Sequence, residues 1–363
     1  PPPPPPPPPH IFFKQKTANE ISLGLVGSEM GIRDRSRTST IQGGAYGAGC
    51  VDRLPHDRSH LLYDAKEVPH PTKLFQDSIR RWLVAHLSDD SATDANTGII
   101  VEAVVISKSA GVFCGRFPVD LLITEWFPSC DLTWNVEEGE DIEVGSQILS
   151  ISGPSDSVLS CERVMLNILG RLSGITTRTS EWVKGSGDVS VACTRKTAWG
   201  MMDKWAVHVG GGLTHRLSRT DALMIKENDL SVIGSGDDVN SAISSAISSI
   251  DFEKSAGFVV IEVQDAAQAI TAAESWSENQ KIGGREEKIV ILLDNMGPDE
   301  CRAAELLLRE SGLRDWCILE GSGGVTLDGL HTWIEDSMVD VISSSSINMG
   351  VPPLDLSMLI GGS

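Results

Sequence analysis

Basic side chains are concentrated in one stretch of an otherwise acidic chain. The 363 residues carry a formal net charge of −20 at pH 7, yet residues 161–230 hold ten Arg and Lys against seven Asp and Glu. A local excess of positive charge in an acidic protein suits a small substrate that bears several negative charges. Arginine is well adapted to this task, because its planar guanidinium can donate two parallel hydrogen bonds to one carboxylate or phosphate.

Two carboxylates and one glycine-rich turn offer a second kind of chemistry. Glu262 and Asp294 each stand near the end of an apolar run, where they could hold Mg²⁺ or bind ribose hydroxyls. A pair of buried acids that cap helices is the alternative interpretation. Ser322-Gly323-Gly324 could bind phosphate, because glycines let backbone N–H groups approach an anion and the start of a helix attracts it.

These residues depend on six short apolar segments that alternate with helical patterns. The segments are residues 189–194, 222–225, 258–263, 288–293, 316–320 and 339–343. Such alternation predicts βαβ units with a parallel sheet. We predict a complete or partly open β/α barrel, in which reactive side chains stand at the carboxyl ends of the strands. An open doubly wound sheet is the alternative.

Polar residues stand at or near the end of every one of these segments. They are Thr194-Arg195-Lys196, Lys226, Glu262, Asp294-Asn295, Glu320-Gly321-Ser322-Gly323-Gly324 and the serines Ser343–Ser346. One such residue alone would indicate no more than a solvated loop or a helix cap. Aligned strand ends favour a single site in which basic, acidic and glycine-rich groups converge.

The chain before the barrel is predicted to fold separately. Residues 74–87 have apolar side chains at helical spacing, and the following stretch has β-branched, alternating segments. We therefore expect an N-terminal α+β sandwich domain at residues 70–156, followed by the barrel at 157–350. Residues 351–363 are expected to be a tail that packs back on the N-terminal domain.

Three further stretches carry expectations of their own. Residues 1–69 begin with nine prolines and lack a reliable helix or strand period, so they are expected to be a non-native or disordered extension. A helix is expected at 157–172, where apolar residues form one stripe. A polar stretch at about 276–287 is expected to form a surface loop.

Composition argues against several classes of protein. A net charge of −20 repels nucleic acids and anionic membrane surfaces, so neither partner is expected. No apolar run approaches the ~18 residues of a membrane span. The seven cysteines include no C-x-x-C pair, which argues against a zinc site or a redox dithiol and favours reduced thiols in a cytoplasmic protein.

Several long motifs resemble those of the quinolinate phosphoribosyltransferase family and occur in the same order. They are ERVMLNILGRLSGITT at 162–177, CTRKTAWGMMDKWAVHVGGGLTHRL at 193–217, ALMIKEN at 222–228, IEV at 261–263, ILLDN at 291–295 and EGSGGV at 320–325. The resemblance covers roughly residues 70–360. It implies an N-terminal sandwich before a partly open barrel, and a homodimer or hexamer whose sites are shared between subunits.

The resemblance also implies a reaction and its participants. In this family, quinolinate and phosphoribosyl pyrophosphate give nicotinate mononucleotide, pyrophosphate and CO₂, with Mg²⁺ as the cofactor. Catalytic roles are implied for Lys196, Glu262 and Asp294, the last two also as direct or indirect Mg²⁺ ligands. Substrate binding is implied for Arg163 (from the neighbouring subunit), Thr194, Arg195, His215, Arg216 and Lys226. Phosphate binding is implied for Ser322, Gly323, Gly324, Ser344 and Ser345.

The sequence departs from the family pattern at three places. Ser345 replaces an expected glycine, Ala198-Trp199-Gly200 replaces Thr-Pro-Gly, and Val260 replaces the first glutamate of a strand. Two alternatives stay open: a nicotinate phosphoribosyltransferase, which shares the barrel but does not decarboxylate, and a binding protein that kept the fold but lost turnover, which only the altered serine run suggests. The number of cations favours a dicarboxylate over a monocarboxylate, and therefore quinolinate.

Overall fold

The protein is described by a computed structural model at residues 54–64, 70–89, 99–233, 238–250 and 257–361. All of these residues lie in one compact unit of the chain. Among the helices of these ranges, none has both the length and the apolar character that a membrane crossing requires.

The chain alternates between strands and helices throughout the described ranges. The strands are β1 (Tyr63–Asp64), β2 (His70–Pro71), β3 (Ile100–Ser107), β4 (Gly111–Val112), β5 (Asp131–Trp134), β6 (Asp141–Ile142), β7 (Gln147–Pro154), β8 (Ser190–Cys193), β9 (Leu223–Ile225), β10 (Val259–Val263), β11 (Ile289–Asp294), β12 (Cys317–Ser322), β13 (Val341–Ser344) and β14 (Leu356–Ile360). The helices are α1 (Lys73–Asp89), α2 (Arg116–Trp126), α3 (Ser155–Gly185), α4 (Met201–Val209), α5 (Glu227–Ile233), α6 (Val239–Ser248), α7 (Ala266–Gly283), α8 (Pro298–Glu310) and α9 (Leu330–Asp336). Short 3-10 helices lie at Ser59–Leu61, Arg314–Trp316 and Ser345–Ile347.

An antiparallel sheet forms the N-terminal sandwich, with strands in the order β14-β3-β7-β5. Residues along β3 and β7 alternate between buried and more exposed positions, as expected for a sheet that packs one face on a core. Helix α1 buries Phe75, Ile79 and Leu83, which lie about one turn apart and face the same side. The predicted sandwich and its first helix are confirmed.

Helix α3 leads from the sandwich into the barrel and is about twice as long as predicted, with 31 residues. Its second half contains Gly174, Ile175 and Thr176, residue types with low helix propensity. The sequence therefore gave little sign that the helix continues. Ile175 and Thr176 are both buried, and tertiary packing outweighs their propensity.

Six parallel strands form the second sheet, in the order β8-β13-β12-β11-β10-β9. Each lies within two residues of its predicted bounds. Strands β9 to β13 neighbour one another in chain order, and the first strand, β8, lies beside the last. A doubly wound sheet would instead reverse its order at a switch point. The partly open β/α barrel is therefore confirmed, and the doubly wound alternative is wrong.

The barrel is open between β8 and β9, which are not neighbours in the described sheet. Part of the opening is covered by Leu213, whose N–H donates to the Val191 carbonyl at 2.8 Å. Residues 54–58 lie next to this connection, where the Arg58 N–H donates to Thr214 Oγ1 at 2.8 Å. A segment from far upstream of the barrel therefore helps to close it.

The predicted non-native or disordered extension at residues 1–69 includes residues that belong to the fold. His56 and Leu62 are fully buried, so residues 54–64 belong to the fold, whereas residues 1–53 lie outside the described residues. The segment is too short to show a helix or strand period. Its partners are also distant, since Arg58 and Thr214 are 156 positions apart.

The predicted surface loop at about 276–287 is mostly helix. Helix α7 continues to Gly283 and buries Trp276 and Gln280. The residue that caps its C-terminus, Gly284, has a left-handed conformation with φ of 62°, a backbone geometry that glycine adopts readily. The polar sequence therefore marks the exposed face of a helix end, not a loop.

The C-terminal tail crosses the middle of α3 at close range. The Leu354 N–H donates to the Gly170 carbonyl at 2.8 Å, and β14 then pairs with β3. A Cβ atom on Gly174 would lie 2.3 Å from the Pro352 carbonyl oxygen, well inside van der Waals contact. The absence of a side chain at Gly174 therefore lets the tail lie against the helix.

Replacing Gly174 by alanine is expected to destabilise the fold, because the added methyl group must displace the tail backbone. We expect the free energy of unfolding to fall by about 1–3 kcal/mol, the usual cost of overpacking, as measured by urea denaturation. The control is Gly185→Ala in the same helix, whose Cβ would meet nothing closer than 3.5 Å. Equal stability of the two variants would contradict the close tail contact.

Candidate active site

A cavity of about 340 Å³ lies at the carboxyl ends of the barrel strands. Its wall contains nine of the side chains predicted to act in the site. They are Thr194, Arg195, Lys196, His215, Arg216, Lys226, Glu262, Asp294 and Ser322. Met224, Leu292, Glu320 and Ser343 complete the wall. The barrel thus brings basic and acidic groups together from across more than 100 residues of sequence.

The loop that carries Arg195 and Lys196 is held from outside the cavity. Asp203 is fully buried, and its carboxylate accepts a hydrogen bond from the Ala198 N–H at 2.9 Å. The Asn348 side chain donates to the Lys196 carbonyl at 2.8 Å. These contacts fix the loop backbone, while the Arg195 and Lys196 side chains remain exposed.

Trp199, one of the departures from the family pattern, adds an aromatic anchor to this loop. Its ring stacks on Trp82 with centroids 5.9 Å apart, and the Arg171 guanidinium lies 5.2 Å from its centroid. Arg171 also donates two hydrogen bonds to Asp203, at 2.9 and 2.8 Å. The loop is therefore attached to α1 and α3, in place of the rigidity that a proline would provide.

Lys204 connects the end of β8 to the segment around Thr214 at the open side of the barrel. It is buried, and its ammonium donates to the Thr214 carbonyl at 2.5 Å and to the Thr194 carbonyl at 3.3 Å. These contacts set the spacing between the end of β8 and His215. The sequence showed Lys204 only as one member of the basic stretch.

Glu320 in the cavity wall is bonded to two buried histidines. Its carboxylate lies 2.9 Å from His56 Nε2 and 3.1 Å from His215 Nε2. In the sequence, Glu320 appeared only as a polar residue near a strand end, and His56 had no signal. The alternation of Ile318, Glu320 and Ser322 along β12 could have shown that Glu320 faces the barrel interior.

The charge state of this cluster follows from burial and contacts. Burial by itself raises the pKa of Glu320, but the polar N–H groups of the two histidine rings lie against its carboxylate and bond to it, and they hold the pKa well below the usual range. Glu320 is therefore an anion that accepts from both rings. Burial lowers the pKa of His215 more than Glu320 raises it, so His215 is a neutral imidazole near pH 7.

A metal ion is the alternative occupant of this cluster, because one ligand atom from each of His56, His215 and Glu320 lies within 4.8 Å of the others. However, the Arg216 N–H donates to His215 Nδ1 at 2.7 Å. Nδ1 is therefore the lone-pair nitrogen of the neutral ring, and Nε2 carries the proton. A metal at Nε2 would have to displace that proton and leave the ring as an imidazolate, because Nδ1 cannot take a proton while it accepts from the Arg216 N–H. We therefore assign hydrogen bonds to this cluster.

His215 and Arg216 form a turn that places a buried guanidinium in the cavity wall. His215 has a positive φ of 51°, which is uncommon for a residue other than glycine. Arg216 is 7% exposed, and burial together with the nearby cations Arg195 and Arg219 lowers its pKa. A cation in such surroundings gains stability from an anionic ligand.

Glu262 and Asp294 stand on the neighbouring strands β10 and β11. Glu262 accepts a hydrogen bond from Lys226 Nζ, and Asp294 accepts one from Asn295 at 2.8 Å. Because Glu262 is opposite Leu292 and residues two apart share a face, Asp294 lies on the same face, further along. Both carboxylates are partly exposed and offer the oxygen atoms that Mg²⁺ prefers.

The glycine turn after β12 combines positive φ angles with a close backbone approach. Gly323 has φ of 106° and Gly324 has φ of 65°, which other residues rarely adopt. A Cβ on Gly323 would lie 2.5 Å from Asn295 Oδ1. Ser322 lines the cavity, and the two glycines follow directly after it.

The serine run after β13 places Ser343 in the cavity wall, in place of the predicted Ser344 and Ser345. The Ser344 hydroxyl donates to the Val325 carbonyl at 2.7 Å and accepts from the Ser346 N–H at 3.1 Å. Ser345 begins a short 3-10 helix. Successive strand residues point to opposite faces, so Ser343 and Ser344 cannot both face the cavity.

Arg163 is exposed on α3 and does not line the cavity at the strand ends. It lines a second cavity of about 470 Å³ together with Asn167, Arg171, Trp199 and residues of the C-terminal tail. The role predicted for Arg163 concerns the site of a neighbouring subunit, and it stays a prediction.

His215 is expected to cause a loss of stability on mild acidification. Its folded-state pKa is lowered, so the unfolded chain, with an ordinary histidine pKa of about 6.5, binds the proton more readily. The stability that the neutral His215 ring contributes is therefore fully present above about pH 6.5 and is lost as the pH falls through the lower folded pKa. Over that interval, the free energy of unfolding should fall by up to about 1.4 kcal/mol per pH unit. Urea denaturation across this range should show the slope, and His215→Gln should reduce it. An unchanged slope in the variant would mean that His215 does not cause it.

Two domain families match the chain in succession. Residues 90–173 match the N-terminal domain of quinolinate phosphoribosyl transferase, and residues 175–359 match its C-terminal domain. The boundary between the two matches falls inside α3, which runs from the sandwich into the barrel.

Individual proteins are similar over most of the chain. A probable nicotinate-nucleotide pyrophosphorylase (carboxylating) of Methanothermobacter thermautotrophicus is 32% identical over 295 residues, which cover 79% of this chain and 99% of that protein. One of the same name from Archaeoglobus fulgidus is 35% identical over 266 residues, covering 72% and 94%. The crystal structure of NadC from Streptococcus pyogenes superposes with a TM-score of 0.66 at 30% identity, over 79% of this chain and 98% of that one. Together with the barrel and its charged cavity, these similarities show that the chain belongs to the quinolinate phosphoribosyltransferase family.

Proposed function

We propose that the chain transfers a phosphoribosyl group from phosphoribosyl pyrophosphate to quinolinate, with release of pyrophosphate and CO₂. The observation that carries the proposal is the cavity in which four basic side chains face Glu262 and Asp294. Four cations suit a dicarboxylate and a phosphate group, while the acids suit the ribose and a metal ion. Relatives named for the quinolinate reaction support this choice.

The cationic side of the cavity is proposed to bind the two carboxylates of quinolinate. Arg195 lies close enough to Arg216 to lower its pKa. An anion between the two guanidinium groups relieves this repulsion and can accept paired hydrogen bonds from each. Thr194 and the neutral ring of His215 belong to the same wall and limit how the substrate can rotate.

The acidic side is proposed to bind and stabilise the ribose. In the transfer step, the ring nitrogen forms a bond to the anomeric carbon as the bond from that carbon to pyrophosphate breaks. Positive charge develops on the ribose, and Glu262 and Asp294 stabilise it. Lys226 contacts Glu262, so it links the acidic side to the quinolinate side and orients the two reactants.

The second step is the loss of CO₂ from the ring. After transfer, the ring nitrogen is cationic, so the electron pair of the breaking carbon–carbon bond can remain in the ring beside it. A proton then replaces the carboxylate. We assign the assisting ammonium group to Lys196, which is exposed at the cavity wall.

Mg²⁺ is the proposed cofactor, with Glu262 and Asp294 as direct or water-mediated ligands. When bound, it would neutralise charge on the departing pyrophosphate. The two carboxylates fit this ion because Mg²⁺ usually takes one or two protein carboxylates and keeps places for water and phosphate oxygens.

A homodimer or hexamer with shared sites is proposed for the assembled enzyme. The support is the exposed position of Arg163 on α3, which suits contact with another subunit better than contact with its own cavity. A cytoplasmic location stays a prediction from the sequence.

Turnover of quinolinate with phosphoribosyl pyrophosphate is the direct test. We expect pyrophosphate and CO₂ in equal amounts, loss of activity with EDTA, and recovery with Mg²⁺. Turnover of nicotinate without CO₂ would favour the enzyme that does not decarboxylate. Ligand-induced thermal stabilisation without any product would favour a binding protein.

Arg195→Ala is expected to weaken quinolinate binding far more than phosphoribosyl pyrophosphate binding. Loss of hydrogen bonds between charged groups should raise the KM for quinolinate roughly 10- to 100-fold, as measured by steady-state kinetics. Arg302→Ala on the outer helix α8 is the matched control, because its guanidinium lies 4.0 Å from Asp336 at the surface. Equal losses for both substrates would contradict the assignment of Arg195.

Subunit complementation tests the shared site. Arg163→Ala and Lys196→Ala chains should each be nearly inactive alone. In a mixed dimer, one of the two sites combines an intact Lys196 with an intact Arg163 from the other chain, so activity should return. Absence of recovery in verified mixed dimers would show that Arg163 does not act across subunits.

A further inference from the structure

Residues 54–58, here called the wall segment, line the open side of the barrel. Leu54 packs against the apolar cluster inside the barrel that includes Phe258, and the Arg58 guanidinium binds Asp221 at 2.9 Å. His56 lies between them, with its ring centroid 5.1 Å from that of His215. The wall segment therefore inserts one histidine into the barrel and fixes the chain on both sides of it.

The family matches assign no role to the wall segment, because they begin at residue 90. Yet His56 is fully buried, and its Nε2 bonds to the Glu320 carboxylate at 2.9 Å. Its Nδ1 has no hydrogen-bond partner among the described residues. Burial of an unpaired nitrogen is costly, so the contact with Glu320 must offset that cost.

A continuous series of hydrogen bonds runs from His56 to the buried arginine of the cavity. Glu320 accepts from His56 and from His215 Nε2, and His215 Nδ1 accepts from the Arg216 N–H at 2.7 Å. A carboxylate held by two donors is fixed in orientation, whereas one donor leaves it free to rotate. The His56 contact therefore restrains the His215 ring, and that ring restrains the Arg216 backbone.

We propose that His56 is a positioning residue, which holds Glu320 so that His215 and Arg216 keep the orientation that binds a pyridine dicarboxylate. Glu320, His215 and Arg216 line the cavity, whereas His56 acts on it through Glu320. The expected effect of His56 on quinolinate binding rests on the proposed function, whereas its effect on the hydrogen bonds of Glu320 and His215 does not.

Three substitutions of His56 separate its hydrogen bond from its volume. His56→Gln keeps an N–H donor near the position of Nε2, His56→Asn is one methylene too short to reach Glu320, and His56→Leu removes the donor. The matched control is His331→Asn, which changes an exposed histidine on α9. Because Gln and Asn are both polar, their comparison remains informative even if His56→Leu does not fold.

Nitrogen-15 NMR of histidine rings in the full chain tests the hydrogen bonds directly. In the unsubstituted protein, we expect His215 to carry its proton on Nε2, with a sharp, slowly exchanging N–H signal. His56→Gln and His331→Asn should keep that signal, whereas His56→Asn should broaden it or lose it to exchange with water. His215→Gln assigns the signal.

Steady-state kinetics tests the consequence for binding. His56→Asn should raise the KM for quinolinate about tenfold, the size expected when a contact to a charged group is lost. The KM for phosphoribosyl pyrophosphate should change less than about twofold, and His56→Gln should restore most of the quinolinate affinity. A purely structural role would instead affect both KM values, or only stability.

Two results would overturn the inference. One is an unchanged His215 signal in His56→Asn, and the other is a parallel change of both KM values that glutamine does not rescue. If the unsubstituted protein does not turn over quinolinate at all, the proposed function fails, but the NMR comparison still decides whether His56 positions His215.

Discussion

The buried negative charge of Glu320 is the constraint on which the rest of the site depends. A carboxylate inside a barrel is costly unless donors satisfy it. Here the donors come from two segments at the open side, His56 upstream of the sandwich and His215 in the connection before β9. Through these two hydrogen bonds, Glu320 connects the barrel interior to its open edge and to the N-terminal wall segment.

One wall of the cavity is positively charged, although the chain as a whole is negatively charged. The protein is strongly acidic, with a formal net charge of −20, yet Arg195 and Arg216 are close enough to repel each other. That repulsion persists because the fold fixes both backbones: Asp203 and Asn348 hold the loop after β8, and His215 holds Arg216. The backbones that carry both guanidinium groups are therefore fixed in advance, so that an anion would require no rearrangement of them.

The sequence predicted the strands and their polar ends well, because parallel strands are short apolar runs and their carboxyl ends meet at one edge. Nine predicted residues accordingly line one cavity. The sequence was a poorer guide to segments whose structure depends on what they pack against. The second half of α3 contains poor helix formers, and the end of α7 looked like a polar loop although Trp276 is buried. The family resemblance implies Ser344, whereas Ser343 lines the cavity, because the exact end of β13 decides which serine faces it.

By itself, the sequence determined the fold class, the family resemblance and the types of group that the site can use, since these follow from periodicity, motif order and residue chemistry along the chain. The tertiary structure alone decided that Glu320 is an ionised acceptor, that His215 has its proton on Nε2, and that His56 bonds to Glu320. The physical reason is that protonation and hydrogen bonding depend on what is nearby in space. The neighbours of Glu320 lie 264 and 105 positions away in the chain, where no local pattern can reveal them.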